Sequence, residues 1–456
     1  MESQAERNRH LILLPCPYQG HINPMLQLGT ILHSFGFSIT VVHTIYNSPD
    51  PKTHPHFSFV PISDGLSDHD IAYGQLVDNI MAVNSNCKES FQEYLEKVIA
   101  NEEKEVISCV ISDELMFFAE AVANDLKVPS IILRTTSAAT SIARSTLVKL
   151  AEHGRVNSKG SASHDIVPEL QPLRSKDLPF SLSTNFGKYA ELIAKAYGKR
   201  TSSAIIWNTM KFLEESTLEQ IQGQSQIAIF PIGPLHLIAP ANFSSSLIKE
   251  DRSCISWLDR QPHKSVIYVS SLGSIAALSE EELAEIAWGL ANSKQPFLWV
   301  IRPGSVRGSD WIELLPKGFQ DSVGNRGCIA RWAPQREVLT HPAVGGFWSH
   351  CGWNSTLESI AEGVPLISKP CFGDQRVNAR YVSYVWRVGL ELEELERGEI
   401  ERAVRKLILD DEGKEMRERI KELKEKFGIC ISKGGSSYNS LNELVNFIRQ
   451  LSTIVE

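Results

Sequence analysis

Short runs of β-branched and aliphatic residues alternate with longer amphipathic stretches along most of the chain. This alternation is typical of βαβ units built around a parallel sheet. It occurs in two series, separated at residues 233–252 by a Pro- and Ser-containing stretch with little periodicity. The pattern therefore predicts two doubly wound α/β domains facing a cleft, where ligands bind at the carboxyl ends of the strands.

The first series predicts four strands and one clear helix. The strands are expected over residues 10–14, 38–43, 106–112 and 130–134. The helix is expected over 24–35, with Asn23 as its N-cap and Pro24 at its first position, where the missing N–H costs nothing.

The second series predicts five strands and three helices. The strands are expected over 265–270, 297–301, 327–331, 344–349 and 364–368. Ser279 and Glu282 have the spacing of a capping box, which predicts a helix over 279–292. Further helices are expected over 354–362 and 437–450.

These elements divide the chain into an N-terminal domain (1–240), a linker (241–254) and a C-terminal domain (255–436). Residues 437–456 are expected to form a helix that packs back on the N-terminal domain.

The charge balance excludes some classes of partner. The formal net charge is −8 and no polybasic block occurs, which argues against nucleic acid or an anionic membrane. No apolar run approaches the ~18 residues of a membrane span, and residues 11–14 are too short for a signal sequence. Eight cysteines without a C-x-x-C pair indicate reduced thiols, so we expect a cytoplasmic protein.

Residues 332–375 contain most of the candidate ligand-binding residues. They read WAPQREVLTHPAVGGFWSHCGWNSTLESIAEGVPLISKPCFGDQ. Within them a predicted strand is followed by a tight turn and a helix N-terminus, which offers free N–H groups and a positive dipole end to a phosphate. Gly352 allows close approach of the backbone. Asn354 and Ser355 add donors, and His350 adds a donor or a positive charge. The turn is a predicted diphosphate site.

Other side chains of this segment suit the rest of a nucleotide sugar. Glu358 lies one helical turn after Asn354, where a carboxylate can hold a ribose diol. Trp332 can stack on a base, and Asp374 and Gln375 can bracket sugar hydroxyls. Taken singly, each is more often a cap or a core residue. Together they supply partners for base, ribose, diphosphate and sugar in that order.

A second candidate site follows the first series of strands. His21 lies in the predicted loop after the first strand, and an imidazole suits a general base at neutral pH. Asp113 follows strand 106–112 at the same edge and can orient that imidazole. On spacing alone, an N-cap for a helix over 114–126 is an equally good interpretation of Asp113.

Segment 332–375 resembles the signature box of plant secondary-product UDP-glycosyltransferases, in particular at HCGWNS, GVP and FGDQ. PYQGHINPML, WLDRQP and FLWVIRP extend the resemblance along the whole chain. GSDWIELLP and ERGEI are similar to the subgroup that glucosylates terpenoids, such as steviol glycosides, and flavonoids. The resemblance implies a GT-B type fold and an inverting mechanism.

The resemblance also implies a role for each matching position. His21 would be the base and Asp113 its partner. In the donor site, Trp332 and the Ala333 backbone would bind uracil, and Gln335 and Glu358 would bind the ribose. The diphosphate would be bound at the Gly352 turn by His350, Asn354 and Ser355. The sugar would be held by Trp353, Asp374 and Gln375. A closing Gln, rather than His, is typical of UDP-glucose donors. Residues 268–274 read YVSSLGS, one residue longer than the family's YVS-x-GS. The extra serine changes the backbone before Ser274, the residue that the resemblance implies as a β-phosphate contact.

The implied activity is transfer of glucose from UDP-glucose to a hydroxyl or carboxyl of a small lipophilic acceptor, such as a terpenoid, a flavonoid or their glycosides, forming a β-glucoside. No metal and no other cofactor is expected, and the protein is expected to act as a monomer without nucleic-acid partners.

Four alternative interpretations of the sequence have weaker support. Asp68-His69-Asp70 has the letters of a metal-dependent Asp-x-Asp motif, but such a triplet often arises by chance. A zinc site built from His341, His350 and Cys351 lacks the spacing of metal ligands and a fourth partner. A nicotinamide-dependent dehydrogenase would have a G-x-G-x-x-G motif after the first strand, and none is present. A UDP-sugar-binding protein without catalysis stays open, although His21 and Asp113 together argue against it.

Overall fold

A computed structural model describes residues 9–66, 75–100, 106–155, 163–180, 185–198, 200–240 and 246–451. The chain divides into two compact units. The first is drawn from Met1–Lys159, Ser183–Leu247 and Ile429–Glu456, and the second from Gly160–Leu182 and Ile248–Gly428. Each unit is built on one parallel sheet.

The sheet of the first unit has seven strands in the order β3-β2-β1-β4-β5-β6-β7. In chain order these are Arg9–Leu14 (β1), Ser38–Thr44 (β2), Ser58–Ile62 (β3), Val106–Asp113 (β4), Ser130–Arg134 (β5), Ala204–Trp207 (β6) and Ala228–Pro231 (β7). All pairings are parallel. The chain moves outward from β1 to β3 and then returns to the other side of β1, so the strand order reverses between β1 and β4.

The sheet of the second unit has six parallel strands in the order β10-β9-β8-β11-β12-β13. They span Val266–Ser270 (β8), Phe297–Val300 (β9), Gly327–Ala330 (β10), Val344–Ser349 (β11), Leu366–Ser368 (β12) and Gly389–Glu391 (β13). The order reverses between β8 and β11, as it does between β1 and β4.

The α-helices of the described residues cover the two sheets. They are Gln19–Ser34 (α1), Leu76–Ile99 (α2), Phe118–Asp125 (α3), Ala138–Glu152 (α4), Phe186–Tyr197 (α5), Lys211–Gln224 (α6), Leu235–Ile238 (α7), Ser253–Leu258 (α8), Glu280–Ser293 (α9), Phe319–Val323 (α10), Gln335–Thr340 (α11), Trp353–Glu362 (α12), Asp374–Arg380 (α13), Arg397–Leu409 (α14), Asp411–Ile431 (α15) and Ser436–Gln450 (α16).

The predicted strands agree with the observed ones to within two residues at each end. The predicted capping box is confirmed: the Ser279 hydroxyl accepts the Glu282 N–H at 3.2 Å, and the Glu282 carboxylate accepts the Ser279 N–H at 2.8 Å. These reciprocal bonds satisfy two donors that α9 leaves without intrahelical partners.

The predicted start of the first helix is wrong. α1 begins at Gln19 rather than Pro24, so Pro24 lies inside the helix and Asn23 is not its N-cap. The Tyr18 carbonyl accepts the N–H groups of His21 and Ile22 at 2.8 and 2.9 Å. Ile22 is buried one turn before the other core residues of the helix, and that burial explains the early start. His21 therefore lies in the first turn of a helix, not in a loop.

The two units are not contiguous in sequence. Residues 160–182, which the sequence analysis placed within 1–240, belong to the second unit. Helix α16 belongs to the first unit, where Leu444 and Ile448 join its core and Phe447 packs 5.4 Å from the Phe230 ring. The Ser437 hydroxyl also donates to the Gly233 carbonyl at 2.7 Å.

Candidate active site

His21 and Asp113 are in contact at the carboxyl edge of the first sheet. Nδ1 of His21 lies 2.8 Å from Oδ2 of Asp113, and the Asp113 side chain is fully buried while that of His21 is 19% exposed. The other carboxylate oxygen of Asp113 accepts the Leu115 N–H at 3.0 Å. An ionised carboxylate only accepts hydrogen bonds, so this contact favours the tautomer with the proton on Nδ1.

The topology of the sheet explains this meeting. α1 follows β1, and Asp113 is the last residue of β4, the strand beside β1 on the opposite side from β2. His21 and Asp113 therefore lie at the point where the strand order reverses, which is where open α/β sheets form their ligand crevice. Helix α3 begins only at Phe118, with Phe117 as its N-cap, so the N-cap interpretation of Asp113 is wrong.

Thr135 is a contact of His21 that the sequence analysis missed. Its hydroxyl oxygen lies 3.0 Å from the same Nδ1 atom, and the residue is buried. Thr135 directly follows β5, the next strand beyond β4. The only sequence signal was its position at the carboxyl end of a predicted strand.

In the second unit, two glycines pack against the ring of His350. β8 and β11 are the strands between which the order reverses, and each is followed by a turn that contains one of these glycines. A Cβ atom built on Gly273 would lie 2.7 Å from Nε2 of His350, and one on Gly352 would lie 2.6 Å from it. Gly273 also has a φ of +58°, which favours glycine. Any larger residue at either position would displace the imidazole.

The surroundings of His350 disfavour the charged form of its imidazole. Burial lowers the pKa of His350, although a backbone hydrogen bond with Ser270 and the charge of Asp374 both oppose the shift. Of the two possibilities left open for His350, a donor or a positive charge, this environment favours the neutral donor in the free protein.

The turn between β11 and α12 is conformationally unusual. Cys351 has a φ of +61°, a left-handed conformation that a non-glycine residue adopts only where surrounding contacts impose it. Its N–H donates to the Ser349 hydroxyl at 3.0 Å, and its carbonyl accepts from the Asn378 amide at 3.0 Å. Gly352 is then the N-cap of α12, with no side-chain cap on the helix.

The predicted ribose-binding residues meet in the second unit. The Gln335 amide donates to Oε2 of Glu358 at 2.6 Å and to the Ser355 hydroxyl at 2.9 Å. Gln335 is the first residue of α11, and the other two lie on α12. Desolvation raises the pKa of the Glu358 carboxyl, and the Gln335 hydrogen bond lowers it again in part.

Asp374 and Gln375 form the first turn of α13, as expected for residues at a strand's carboxyl end. Oε1 of Gln375 accepts the N–H groups of Cys371 and Phe372 at 2.8 and 3.1 Å. Oδ2 of Asp374 accepts from the Asn378 amide at 3.1 Å. Gln375 is therefore also a structural anchor of its own loop, which the sequence did not reveal.

The remaining predicted donor residues lie in the same unit. The Trp332 carbonyl accepts the Asp251 N–H at 2.7 Å, and Trp332 itself is half-buried. Trp353 is buried with its ring 6.3 Å from that of Trp386. Ala333 is buried, and Asn354 and Ser274 are half-buried. Ser274 directly follows Gly273, the glycine that packs against the His350 ring.

The alternative metal sites receive no support. Asp68–Asp70 lies outside the described residues. His341 contacts Asp259 at 3.2 Å, and no group of three or more His, Cys, Asp or Glu in the described part of the chain is placed to hold a metal ion. Among the residues that the structure describes, no helix combines the length and hydropathy of a membrane span. All eight cysteines are free thiols.

Two Rossmann-like parallel sheets, each with candidate site residues where its strand order reverses, form the architecture of the GT-B class of glycosyltransferases. A family model described as "UDP-glucoronosyl and UDP-glucosyl transferase" matches residues 67–425. Flavonol 3-O-glucosyltransferase UGT76E12 of Arabidopsis thaliana is 49% identical, over 99% of this chain and 99% of that protein.

Solved structures give the same result. Phytolacca americana UGT2, complexed with UDP-2fluoro-glucose and pterostilbene, has a TM-score of 0.80 at 29% identity and covers 98% of this chain and 100% of its own. Medicago truncatula UGT71G1, complexed with UDP-glucose, has a TM-score of 0.81 at 26% identity, over 97% and 98%. The chain belongs to the UDP-glycosyltransferase family, among the plant enzymes of secondary metabolism, and is a hexosyltransferase.

Proposed function

We propose that this enzyme transfers glucose from UDP-glucose to a hydroxyl of a small lipophilic acceptor, with inversion to a β-glucoside. The observation that carries the proposal is the 2.8 Å contact between Nδ1 of His21 and the buried carboxylate of Asp113. That contact leaves the lone pair of Nε2 as the basic site of the imidazole.

In this mechanism His21 removes the acceptor proton while the acceptor oxygen attacks the anomeric carbon. Asp113 orients the ring and stabilises the imidazolium that forms. UDP leaves in the same step, so one displacement converts the α-linked donor into a β-linked product. No covalent intermediate with the protein is required.

The second unit is proposed to bind the donor. The N-terminus of α12 and the imidazole of His350, which packs against Gly273 and Gly352, suit the diphosphate, because a phosphate accepts hydrogen bonds and favours the positive end of a helix dipole. Glu358 and Gln335 are proposed to hold the ribose, Trp332 the uracil, and Asp374 and Gln375 the glucose. Neither a metal nor another cofactor has a role in this proposal.

For the acceptor, we propose a flavonoid or terpenoid, including their glycosides. The relative at 49% identity is named a flavonol 3-O-glucosyltransferase, and Phytolacca americana UGT2 is complexed with the phenol pterostilbene. A flavonol is therefore the first acceptor to test, followed by a diterpenoid alcohol.

The test is UDP release from UDP-glucose and a flavonol by wild type and His21→Ala. Turnover should fall by roughly 10²–10⁴-fold, the usual contribution of a general base, while UDP-glucose affinity stays unchanged. His153→Ala, at an exposed histidine at the C-terminal end of α4, is the matched control. Near-normal turnover by His21→Ala would refute the base. UDP-glucose binding by a wild type that releases no UDP would instead support a sugar-binding protein without catalysis.

A further inference from the structure

Residues 172–180, here called the strap, run alongside α13, the helix that begins with Asp374 and Gln375. Nε of Arg380 donates to the Pro172 carbonyl at 3.0 Å, at the end of the helix. The Gly373 N–H donates to the Phe180 carbonyl at 2.9 Å, at its start. The strap thus bonds to both ends of α13, and it belongs to the same unit.

The bond at the start of α13 completes the support of the loop before it. The N–H groups of Cys371 and Phe372 are accepted by the Gln375 side chain, as described above. The next N–H, that of Gly373, is accepted by the strap. Gly373 has a φ of +61° and directly precedes Asp374, so the strap holds the residue immediately before Asp374.

The strap is itself held by a cluster of ion pairs. Arg174 donates to both oxygens of Asp177 at 2.8 Å and to Glu391, at the end of β13, at 2.7 Å. Lys176 lies 3.1 Å from Glu391 as well. Arg174 and Asp177 are buried, and bidentate charge-assisted bonds in such surroundings fix geometry strongly.

We propose that the strap is a positioning element for the sugar-binding turn of α13, and thereby sets the affinity and selectivity for the hexose. The inference rests on the proposed function, in which Asp374 and Gln375 hold the glucose. Uracil and ribose are assigned to Trp332, Gln335 and Glu358, which lie outside α13. The diphosphate turn is joined to α13 by one bond, from the Asn378 amide to the Cys351 carbonyl. A shift of α13 should therefore weaken binding of the sugar more than that of the nucleotide.

The test is Arg174→Gln, with Arg174→Lys as the conservative variant. For Arg174→Gln we expect the KM for UDP-glucose to rise about tenfold or more, since displacements of about 1 Å at a reacting group carry effects of up to ~10²-fold. The glucose-to-galactose ratio of kcat/KM should fall, and the Kd for UDP should stay within about twofold. Arg174→Lys should lie between wild type and Arg174→Gln.

Arg397→Gln is the matched control, because Arg397 also forms a bidentate pair in the second unit, with Glu285 on α9. It should leave KM and selectivity unchanged. If Arg174→Gln does not fold, Arg380→Lys removes the Pro172 bond while keeping the charge, and the same selective loss is expected. A fall in melting temperature alone, or equal losses for UDP and UDP-glucose, would overturn the proposal.

The closing comparison separates this inference from the function on which it rests. Gln375→Ala should alter the glucose-to-galactose ratio if Gln375 contacts the sugar. No change in Gln375→Ala would refute the sugar assignment itself. A change in Gln375→Ala, with Arg174→Gln and Arg380→Lys both behaving like Arg397→Gln, would refute only the positioning role of the strap.

Discussion

Replacement of Gly352 by alanine should disable the donor site by moving His350. The added Cβ would lie 2.6 Å from Nε2 of the ring, whereas ordinary contacts begin at 3.4 Å. The imidazole must therefore move by about 0.8 Å. This movement is costly because the surrounding structure is close-packed. The backbone of Gly352 (φ −56°, ψ 143°) suits any residue, so the cost is steric. Overpacking of this kind costs ~1–3 kcal/mol, which lowers the melting temperature by roughly 2–10 °C.

The effect on binding should be larger than the effect on stability. A displacement of about 1 Å at a positioned group carries losses of up to ~10²-fold, so the Kd for UDP-glucose, measured by calorimetry, should rise roughly 10–100-fold. His350→Ala and the double variant complete a double-mutant cycle. In the His350→Ala background the clash is gone, and Gly352→Ala should cost only the ~0.5–1 kcal/mol of losing glycine at an N-cap. Additive effects on stability, or an unchanged Kd in Gly352→Ala, would refute the reasoning.

Three further predictions concern the metal, the sugar and the pH. Activity should be fully retained in EDTA; its loss and recovery with Mn²⁺ or Mg²⁺ would contradict the diphosphate site at α12. Gln375→His should erode the preference for UDP-glucose over UDP-galactose, which unpaired polar groups can set at up to ~100-fold; an unchanged kcat/KM ratio with a lower melting temperature would leave Gln375 only its loop-anchoring role. Burial lowers the pKa of His350 and a bound diphosphate should raise it, so binding takes up a proton. UDP-glucose, whose diphosphate does not titrate near neutrality, should therefore bind more tightly by calorimetry as the pH falls from about 8 to about 6. His350→Asn should show no such dependence.

Local patterns in the sequence predicted local structure well. Buried strands such as Val344–Ser349 are short apolar runs bounded by turn residues, and the capping box at Ser279 is specified within four residues. The start of α1 was misplaced because proline is common at the first position of a helix, and this local preference was outweighed by the burial of Ile22. That burial depends on tertiary packing, which a local pattern does not contain.

The candidate site was predictable where one segment supplies it and less so where distant segments meet. Gln335, Ser355 and Glu358 lie within one motif and were identified together. The contacts of Thr135 with His21, and of Gly273 with His350, join residues 114 and 77 positions apart in the chain. The strap was missed for the same reason, since nothing in residues 172–180 indicates a partner helix some 200 residues later.

The stereochemistry of the product tests the central claim most directly. The wild-type enzyme should be incubated with UDP-glucose and the acceptor that it turns over best, and the anomeric configuration of the purified glucoside should be determined by NMR. A single displacement with His21 as the base predicts a β-glucoside as the sole product. An α-glucoside would contradict the mechanism, because retention requires either a second displacement or front-face attack.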